Sequence, residues 1–212
     1  SDKENLRFVL QTLKKNKINI ISSGGTYRSI KKLGFKCKEV SQYTGFEEML
    51  DGRVKTLHPK IHSGILFKRD NKIHKKQMQK KQFEPIDLVI VNFYPFETVI
   101  RKTSNKKKII ENIDIGGPSM VRAAAKNFES VTVITDKKDY SELIKELKKL
   151  KGKTTFNFRK RMASKAYGLT AYYDAIVSEW FNRDMGLNFP ERKVFFGKKI
   201  SQLRYGENPH QK

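Results

Sequence analysis

The segment from Asp114 to Asn127 combines residue types that can carry out acid–base chemistry beside a bound anion. Its sequence is Asp-Ile-Gly-Gly-Pro-Ser-Met-Val-Arg-Ala-Ala-Ala-Lys-Asn. Proline suits the first turn of a helix, and the free N–H groups of that turn attract anions. Lys126 follows Pro118 by about two helical turns. The segment therefore predicts either a small catalytic constellation or a glycine turn in front of a helix that packs by its alanines.

A second turn has the composition of a phosphate cradle. Ser23-Gly24-Gly25-Thr26 stands between a predicted strand, 18–22, and a predicted helix that ends at Leu33. A strand, a turn rich in glycine and hydroxyl groups, and a helix N-terminus together present several donors to an anion. The lysine of a Walker loop is missing from this turn. An ordinary strand-to-helix turn has the same composition, so both interpretations stay open.

A third segment, Gly52–Gly64, is dense in hydrogen-bond donors. Arg53 and Lys55 flank one residue, so an extended backbone would direct both cations to the same side. His58 and His62 have the spacing of a metal-binding pair on a helix. However, Pro59 lies between them and no carboxylate completes a ligand set. We therefore predict no metal site, and expect these histidines to pack within the loop or to lie beside a substrate.

Alternating strands and helices must position these turns. The most apolar predicted strand, 86–93, is expected in the centre of a parallel sheet. Ligands bind outside the carboxyl ends of such strands, which places Tyr94 at a site. The apolar positions from Met162 to Phe181 predict a long helix with a face that could support a dimer. Further strands are expected at 37–40 and 130–135, helices at 6–13, 45–50, 71–82 and 140–150, and a strand pair or linker at 189–212.

Composition narrows the class of protein. The chain has 212 residues, a net charge of +23 and one cysteine, Cys37, which excludes an internal disulfide. No apolar run approaches the roughly 18 residues of a membrane span, so we expect a soluble, cytoplasmic protein. The lysines are scattered, with a run of three only at 106–108. This pattern favours a solvated basic surface over a nucleic-acid interface, and such a surface attracts phosphorylated substrates.

Several motifs, taken together and in order, resemble one family. They are Ser23–Thr26, Gly52–Pro59, Asn92–Phe96, Asp114–Ser119, Arg122–Asn127 and Leu203–Gln211. They resemble the bifunctional purine-biosynthesis proteins that join an IMP cyclohydrolase to an AICAR transformylase. The resemblance implies an α/β fold like that of methylglyoxal synthase, with three αβα layers, a mostly parallel sheet and a C-terminal helical extension. It assigns residues 1–186 to the cyclohydrolase domain and 187–212 to a linker and the start of the transformylase domain.

The resemblance implies a reaction and its partners. The substrate would be 5-formamidoimidazole-4-carboxamide ribonucleotide (FAICAR), which closes to IMP with loss of water. Ring closure needs no cofactor, and 10-formyltetrahydrofolate would serve only the transformylase, most of which this chain lacks. The expected partners are a purine ribonucleotide and a second copy of the chain, without nucleic acid or membrane.

The resemblance also assigns roles to residues. The catalytic group would be Lys55, Tyr94, Asp114 and Lys126, with Asp114 accepting a proton or orienting the amide. Residues Arg204 and Tyr205 would belong to the incomplete transformylase nucleotide site. Substrate would be held by Ser1, Lys3, Ser23, Gly25, Thr26, Arg53, Thr56, Ile115, Gly116 and Gly117. Which lysine donates the proton stays open.

One departure from the family pattern bears on activity. The family has a strand before Ser-x-Ser-Asp-Lys, and this sequence starts at the last Ser-Asp-Lys. The resemblance therefore implies that the first strand is missing and that a central slot of the sheet is open, with unpaired backbone groups. The alternatives to a cyclohydrolase are a phosphate-sensing regulatory domain of the same fold, as in carbamoyl-phosphate synthetase, a methylglyoxal synthase, and a basic nucleic-acid binder.

Overall fold

The computed structural model describes residues 5–202 and contains two compact units. The first ends at Thr170 and the second begins at Ala171. This division falls inside a long helix, whereas the sequence predicts a domain boundary after residue 186. Compact units and evolutionary domains need not share a boundary, so the domain boundary after residue 186 stays a prediction.

The first unit is a mixed α/β structure with short parallel strands. Strand β1, Ile21–Ser22, pairs in parallel with β2, Lys38–Glu39. Strand β3, Leu88–Ile90, pairs in parallel with β4, Thr132–Ile134. All four strands occur where the sequence predicts them, but each is shorter. The expected single sheet is present as two separate pairs, and within residues 5–202 no strand pairing joins them.

Ten α-helices surround or follow these strands in the described part of the chain. They are α1 Leu6–Lys15, α2 Gly24–Lys32, α3 Val40–Thr44, α4 Pro59–Leu66, α5 Lys72–Lys81, α6 Phe96–Lys102, α7 Lys106–Glu111, α8 Gly116–Lys126, α9 Tyr140–Lys149 and α10 Phe156–Asp184. Short 3-10 turns cover Leu50–Gly52 and Lys137–Asp139. The helices predicted at 6–13, 24–33, 71–82, 118–127, 140–150 and 162–181 are confirmed.

Two local predictions are wrong, and at 189–202 the structure agrees with the linker rather than the strand pair. The helical turns expected at 45–50 lie earlier, at 40–44, because the Glu39 carboxylate accepts the N–H of Ser41 at 2.6 Å and Gly45 ends the helix at a φ of +73°. Helix α4 begins at Pro59, in a segment expected to be non-helical, because proline is tolerated at the first helical position. No strand forms in residues 189–202.

Helix α8 occupies the centre of the first unit. It packs against α4, β3 and β4, and Val121 and Ala124 are fully buried there. Small alanine side chains let the helix approach the strands closely. At its end, Asn127 Nδ2 donates to the carbonyl oxygens of Ile65 at 2.7 Å and Phe67 at 3.1 Å. These contacts fix the direction of α8, and with it the position of the turn that precedes the helix.

A cavity of about 1330 Å³ lies between the two strand pairs. Residues of β1 and of β3 both line it. It extends from Ile86, before β3, to Asn92 and Tyr94, after β3. The cavity therefore runs along the strands from their amino ends to their carboxyl ends.

Helix α10 has 29 residues and continues into the second unit. Beyond it, apolar side chains are largely exposed, including Phe189 at 90% and Ile200 at 98%. Within the second unit, the Phe196 ring meets the Tyr172 ring edge-on, with centroids 5.4 Å apart. None of the helices in residues 5–202 combines the length and the apolar composition that a membrane-spanning helix needs.

Candidate active site

Three turns from separate parts of the sequence meet in the cavity. Ser23, Lys55 and Asp114 all line it, together with Asn92 and Tyr94 at the carboxyl end of β3. This is the position at which α/β proteins with parallel strands bind ligands. The geometry therefore brings together the three segments whose residue types could carry out chemistry.

The loop before α4 folds tightly around Lys55. Gly52 has a φ of +87°, which side chains other than glycine rarely adopt. A Cβ on Gly52 would also collide with the side chains of Glu48 and Lys55. The Lys55 ammonium forms an ion pair with Glu48 at 2.7 Å, and it lies 3.8 Å from the position that a Cβ on Gly24 would occupy. Lys55 therefore lies between its own loop and the first turn of α2.

The same loop contacts the turn before α8. A Cβ on Gly116 would lie 2.7 Å from the Thr56 hydroxyl oxygen, and one on Gly117 would lie 2.5 Å from Asp114 Oδ2. Real Cβ atoms essentially never approach other atoms so closely. A larger residue at Gly116 or Gly117 would therefore displace the Thr56 hydroxyl or the Asp114 carboxylate, because these polar groups pack directly on the glycine backbone.

Asp114 is a carboxyl group at the cavity with a raised pKa. Its Oδ1 accepts the N–H of Gly117 at 2.9 Å. Burial raises the pKa of Asp114, and hydrogen bonds from the backbones of Gly117 and Tyr94 partly oppose that rise. A carboxylate with a raised pKa is a better proton acceptor at neutral pH. The Gly117 N–H that was expected to attract an anion is instead occupied by this side chain.

The Ser23–Thr26 turn is the first turn of α2 rather than a separate loop. Helix α2 begins at Gly24, and the Ser23 side chain makes no capping hydrogen bond. Ser23 and Thr26 both line the cavity. Two hydroxyl groups at a helix start, beside Lys55, are suitable donors for a phosphate group.

The structure brings most of the predicted site residues to the cavity, but not all. Those that line it are Ser23, Thr26, Arg53, Lys55, Thr56, Tyr94, Asp114, Ile115, Gly116 and Gly117. Gly25 lies in α2 and is not among the lining residues. Ser1, Lys3, Arg204 and Tyr205 lie outside the described residues.

Lys126 is also not among the residues that line the cavity. It is exposed and is the last residue of α8. A helix of this length places its two ends about 15 Å apart. The expectation that Lys126 lies within reach of the anion site does not agree with this position, because α8 runs away from Asp114. Its catalytic role stays a prediction from the resemblance alone.

The two histidines support the loop. His58 Nδ1 accepts the N–H of Lys60 at 3.1 Å and so caps α4. Burial lowers the pKa of His62, and a hydrogen bond with the backbone of Thr56 partly opposes this effect. In the part of the chain that the structure describes, no group of three or more His, Cys, Asp or Glu side chains could hold a metal ion.

Two acidic partners of the predicted cations were missed by sequence reasoning, and one of them, Glu111, lines the cavity. Glu48 pairs with Lys55, and Glu111 at the end of α7 forms a forked pair with Arg53. The Nε of Arg53 donates to Glu111 Oε1 at 3.2 Å, and its Nη2 donates to Oε2. The hydrogen bond from Arg53 lowers the pKa of Glu111. Arg53 and Glu111 are 58 residues apart, so spacing gave no signal for this pair.

Comparison with known families agrees with the fold. Residues 5–119 match the MGS-like domain, and residues 124–212 match the family described as AICARFT/IMPCHase bienzyme. A solved structure titled "Crystal structure of ForH" superposes with a TM-score of 0.76 at 31% identity, covering 86% of this chain and 93% of that one. The described unit with parallel strands is thus an MGS-like domain with the carboxyl-end site of an α/β protein.

Curated relatives refine this assignment. The chain is 50% identical over 211 residues to the bifunctional purine biosynthesis protein PurH of Bradyrhizobium diazoefficiens, and 49% identical over 213 residues to that of Persephonella marina. The chain belongs to the PurH family. Each match covers 100% of this chain but only 40% and 41% of the respective relative.

Proposed function

We propose that this chain is the IMP cyclohydrolase part of a bifunctional purine-biosynthesis enzyme and closes FAICAR to IMP. One observation carries the proposal: Ser23, Lys55 and Asp114, from three separate turns, line one cavity. The PurH relatives and the match to the bienzyme family support the same reaction. The enzyme is then a hydrolase that acts on cyclic amidines.

The phosphate end of the substrate meets the cationic and hydroxyl-bearing groups. Ser23, Thr26 and Thr56 offer hydroxyl donors, and Arg53 offers a planar guanidinium. An arginine contacts a phosphate through two parallel N–H groups, whereas a lysine supplies a compact charge. These groups fix the ribonucleotide so that its two reacting substituents lie beside Asp114.

Ring closure joins the carboxamide nitrogen to the formyl carbon. Asp114 accepts the carboxamide proton or orients the amide, and its raised pKa suits that role. Charge grows on the formyl oxygen, which leaves as water. Lys55 or Tyr94 can stabilise that charge, and one such donor contributes roughly 3 kcal/mol. Because the reaction is intramolecular, alignment supplies much of the remaining acceleration.

The cavity between the strand pairs takes one further strand. Both flanking pairs are parallel, and β1 and β3 have pairing partners only on their outer sides within residues 5–202. The side chains facing the cavity include Ile21, Leu88 and Ile90. An apolar extended segment that runs into Ser1 would satisfy both edges and join the pairs into one sheet. This is the first strand that the resemblance implies.

The remaining expectations belong to the whole enzyme. The cyclohydrolase works without a cofactor, as a cytoplasmic homodimer with a purine ribonucleotide as its ligand and without nucleic acid or membrane. The transformylase reaction and its 10-formyltetrahydrofolate belong to the remainder of the enzyme.

The test is to incubate FAICAR with the 212-residue chain and with the same chain extended at its amino end by an apolar strand, following IMP by absorbance. We expect the extended chain to form IMP at a rate proportional to enzyme concentration. No IMP from either form would refute the proposal. Phosphate release from a triose phosphate would favour a methylglyoxal synthase, and nucleotide binding without turnover would favour a regulatory domain.

A further inference from the structure

Arg53 and Lys55, the two cations of the loop before α4, are both paired with carboxylates. Lys55 pairs with Glu48, and Arg53 pairs with Glu111 of α7. Neither glutamate is part of the predicted catalytic or substrate-binding set. The two pairs differ in exposure: the Lys55 side chain is 29% exposed, whereas that of Arg53 is 64% exposed. Because the Arg53 side chain is the more exposed of the two, its orientation depends more strongly on its ion-pair partner.

We infer that Glu111 is a positioning residue that aims Arg53 at the 5′-phosphate of the bound ribonucleotide. This inference rests on the proposed function and adds a residue to it. An arginine has five N–H donors in a rigid fork. The forked pair with Glu111 uses Nε and one Nη2 hydrogen, so Nη1 and the second Nη2 hydrogen stay available to an anion. Arg53 can hold Glu111 and a phosphate at the same time.

The location of the pair supports this role. Arg53 and Glu111 both line the cavity that contains Ser23 and Thr26, the hydroxyl donors of the α2 turn. Glu111 is the last residue of α7 and precedes Asp114 by three residues. The pair therefore links the loop that carries Lys55 to the segment that leads into Asp114.

The pair does little for stability. Ion pairs between exposed side chains contribute little to stability because water screens their charges, and both partners here are more than half exposed. Removal of the Glu111 charge should therefore leave the fold intact and change ligand binding. A second forked pair gives a matched control: Arg161 donates to both carboxylate oxygens of Glu142, also at an exposed position. Neither Arg161 nor Glu142 lines the cavity.

The experiment is a double-mutant cycle on the 212-residue chain, with and without the added strand. Dissociation constants for IMP and for inosine are measured by calorimetry for the wild type, Glu111→Gln, Arg53→Met, the double variant and Glu142→Gln. We expect Glu111→Gln to weaken IMP binding by about three- to tenfold. The substitution should not affect inosine binding, and in the Arg53→Met background it should change IMP binding less than twofold. Glu142→Gln should bind IMP like the wild type.

The outcomes separate the two proposals. If the wild type binds no IMP in either form, the proposed function fails and the positioning role fails with it. If the wild type binds IMP and Glu111→Gln binds it equally or more tightly, only the positioning role is wrong, and tighter binding would show that Glu111 competes with the phosphate. The positioning role would also be wrong if Glu111→Gln weakened IMP binding equally in the Arg53→Met background, or if it weakened inosine binding as much as IMP binding. A merely structural role would instead lower the melting temperature and affect both ligands.

Discussion

Two regions of the cavity are built in different ways. One is the end that lies at the carboxyl ends of the strands, and the other is the part that runs between the two strand pairs. At the carboxyl end, polar side chains are held by short-range contacts, such as Asp114 on the N–H of Gly117 and Lys55 against Glu48. Along the strands, β1 and β3 each have one partner and extend over only two and three residues. Local turns can therefore position a site even where the strands of residues 5–202 form two short, separate pairs.

The largest expected effect comes from removing the positive charge of Lys55 at the carboxyl end of the cavity. Lys55→Met should lower the turnover of FAICAR by about 100- to 1000-fold, the loss typical of one donor to a developing oxyanion. Steady-state IMP formation measures this effect.

Lys126→Met is the matched comparison for that variant. The resemblance predicts that loss of Lys126 abolishes turnover, whereas its exposed position outside the cavity predicts a much smaller loss than that of Lys55→Met. We expect the smaller loss. An equal loss in both variants would contradict the structural placement and support the resemblance.

The next effect concerns the strands. Addition of an apolar N-terminal strand should stabilise the chain, because each fully buried Val, Ile or Leu side chain contributes about 1.5–3 kcal/mol. Two or three such side chains would contribute about 3–9 kcal/mol, which corresponds to a rise in melting temperature of roughly 6–36 °C for a chain of this size, less the cost of ordering the added strand. Thermal unfolding followed by circular dichroism measures the shift.

The control for the added strand is one of the same length in which the apolar positions are replaced by serine. If the serine strand stabilises the chain as much as the apolar strand, the cavity does not take a strand through apolar burial.

A smaller effect is expected for the glycine beneath Lys55. Gly52→Ala combines a positive φ with a collision against Glu48 and Lys55, so it should destabilise by about 1–3 kcal/mol. Gly45→Ala is the control, because Gly45 has a φ of +73° but nothing within 4 Å of an added Cβ. Urea unfolding of both variants isolates the collision. Equal destabilisation in the two would show that Lys55 does not pack on Gly52.

The smallest effect is a pH dependence of stability. Because burial raises the pKa of Asp114, the folded state binds more protons than the unfolded state just above the ordinary pKa of an aspartate. The contribution of Asp114 therefore becomes less favourable as the pH rises through the raised pKa. Asp114→Asn should be at least as stable as the wild type at pH 7, with the difference shrinking toward pH 4. The direction of the pKa shift would be contradicted if Asp114→Asn lost stability relative to the wild type as the pH was raised from 4 to 7.

The sequence predicted what depends on local pattern. The alternation of strands and helices, and a helix following the glycine pair, follow from short motifs. The meeting of Ser23, Lys55 and Asp114 was implied by the family resemblance, which gave all three to one nucleotide site. The MGS-like fold is confirmed by the family match and by the solved ForH structure.

What the sequence did not predict depends on contacts between distant residues or on a single capping bond. The pairing of Arg53 with Glu111 spans 58 residues. The helix at 40–44 depends on one hydrogen bond from Ser41 to Glu39, which shifts the element by about one turn. The strands are short because hydrogen bonding, rather than apolar composition, determines where a strand is regular.

The most direct test of the account is the rate of IMP formation by the strand-extended chain and by its Asp114→Asn variant, with the dissociation constant for IMP measured on both. We predict that the wild type forms IMP and that the variant does so at least about 100-fold more slowly. The variant should bind IMP within several-fold of the wild type, because asparagine keeps the shape of the side chain and an acceptor for Gly117. Turnover at the wild-type rate in Asp114→Asn would contradict the assignment of this cavity as the site of ring closure.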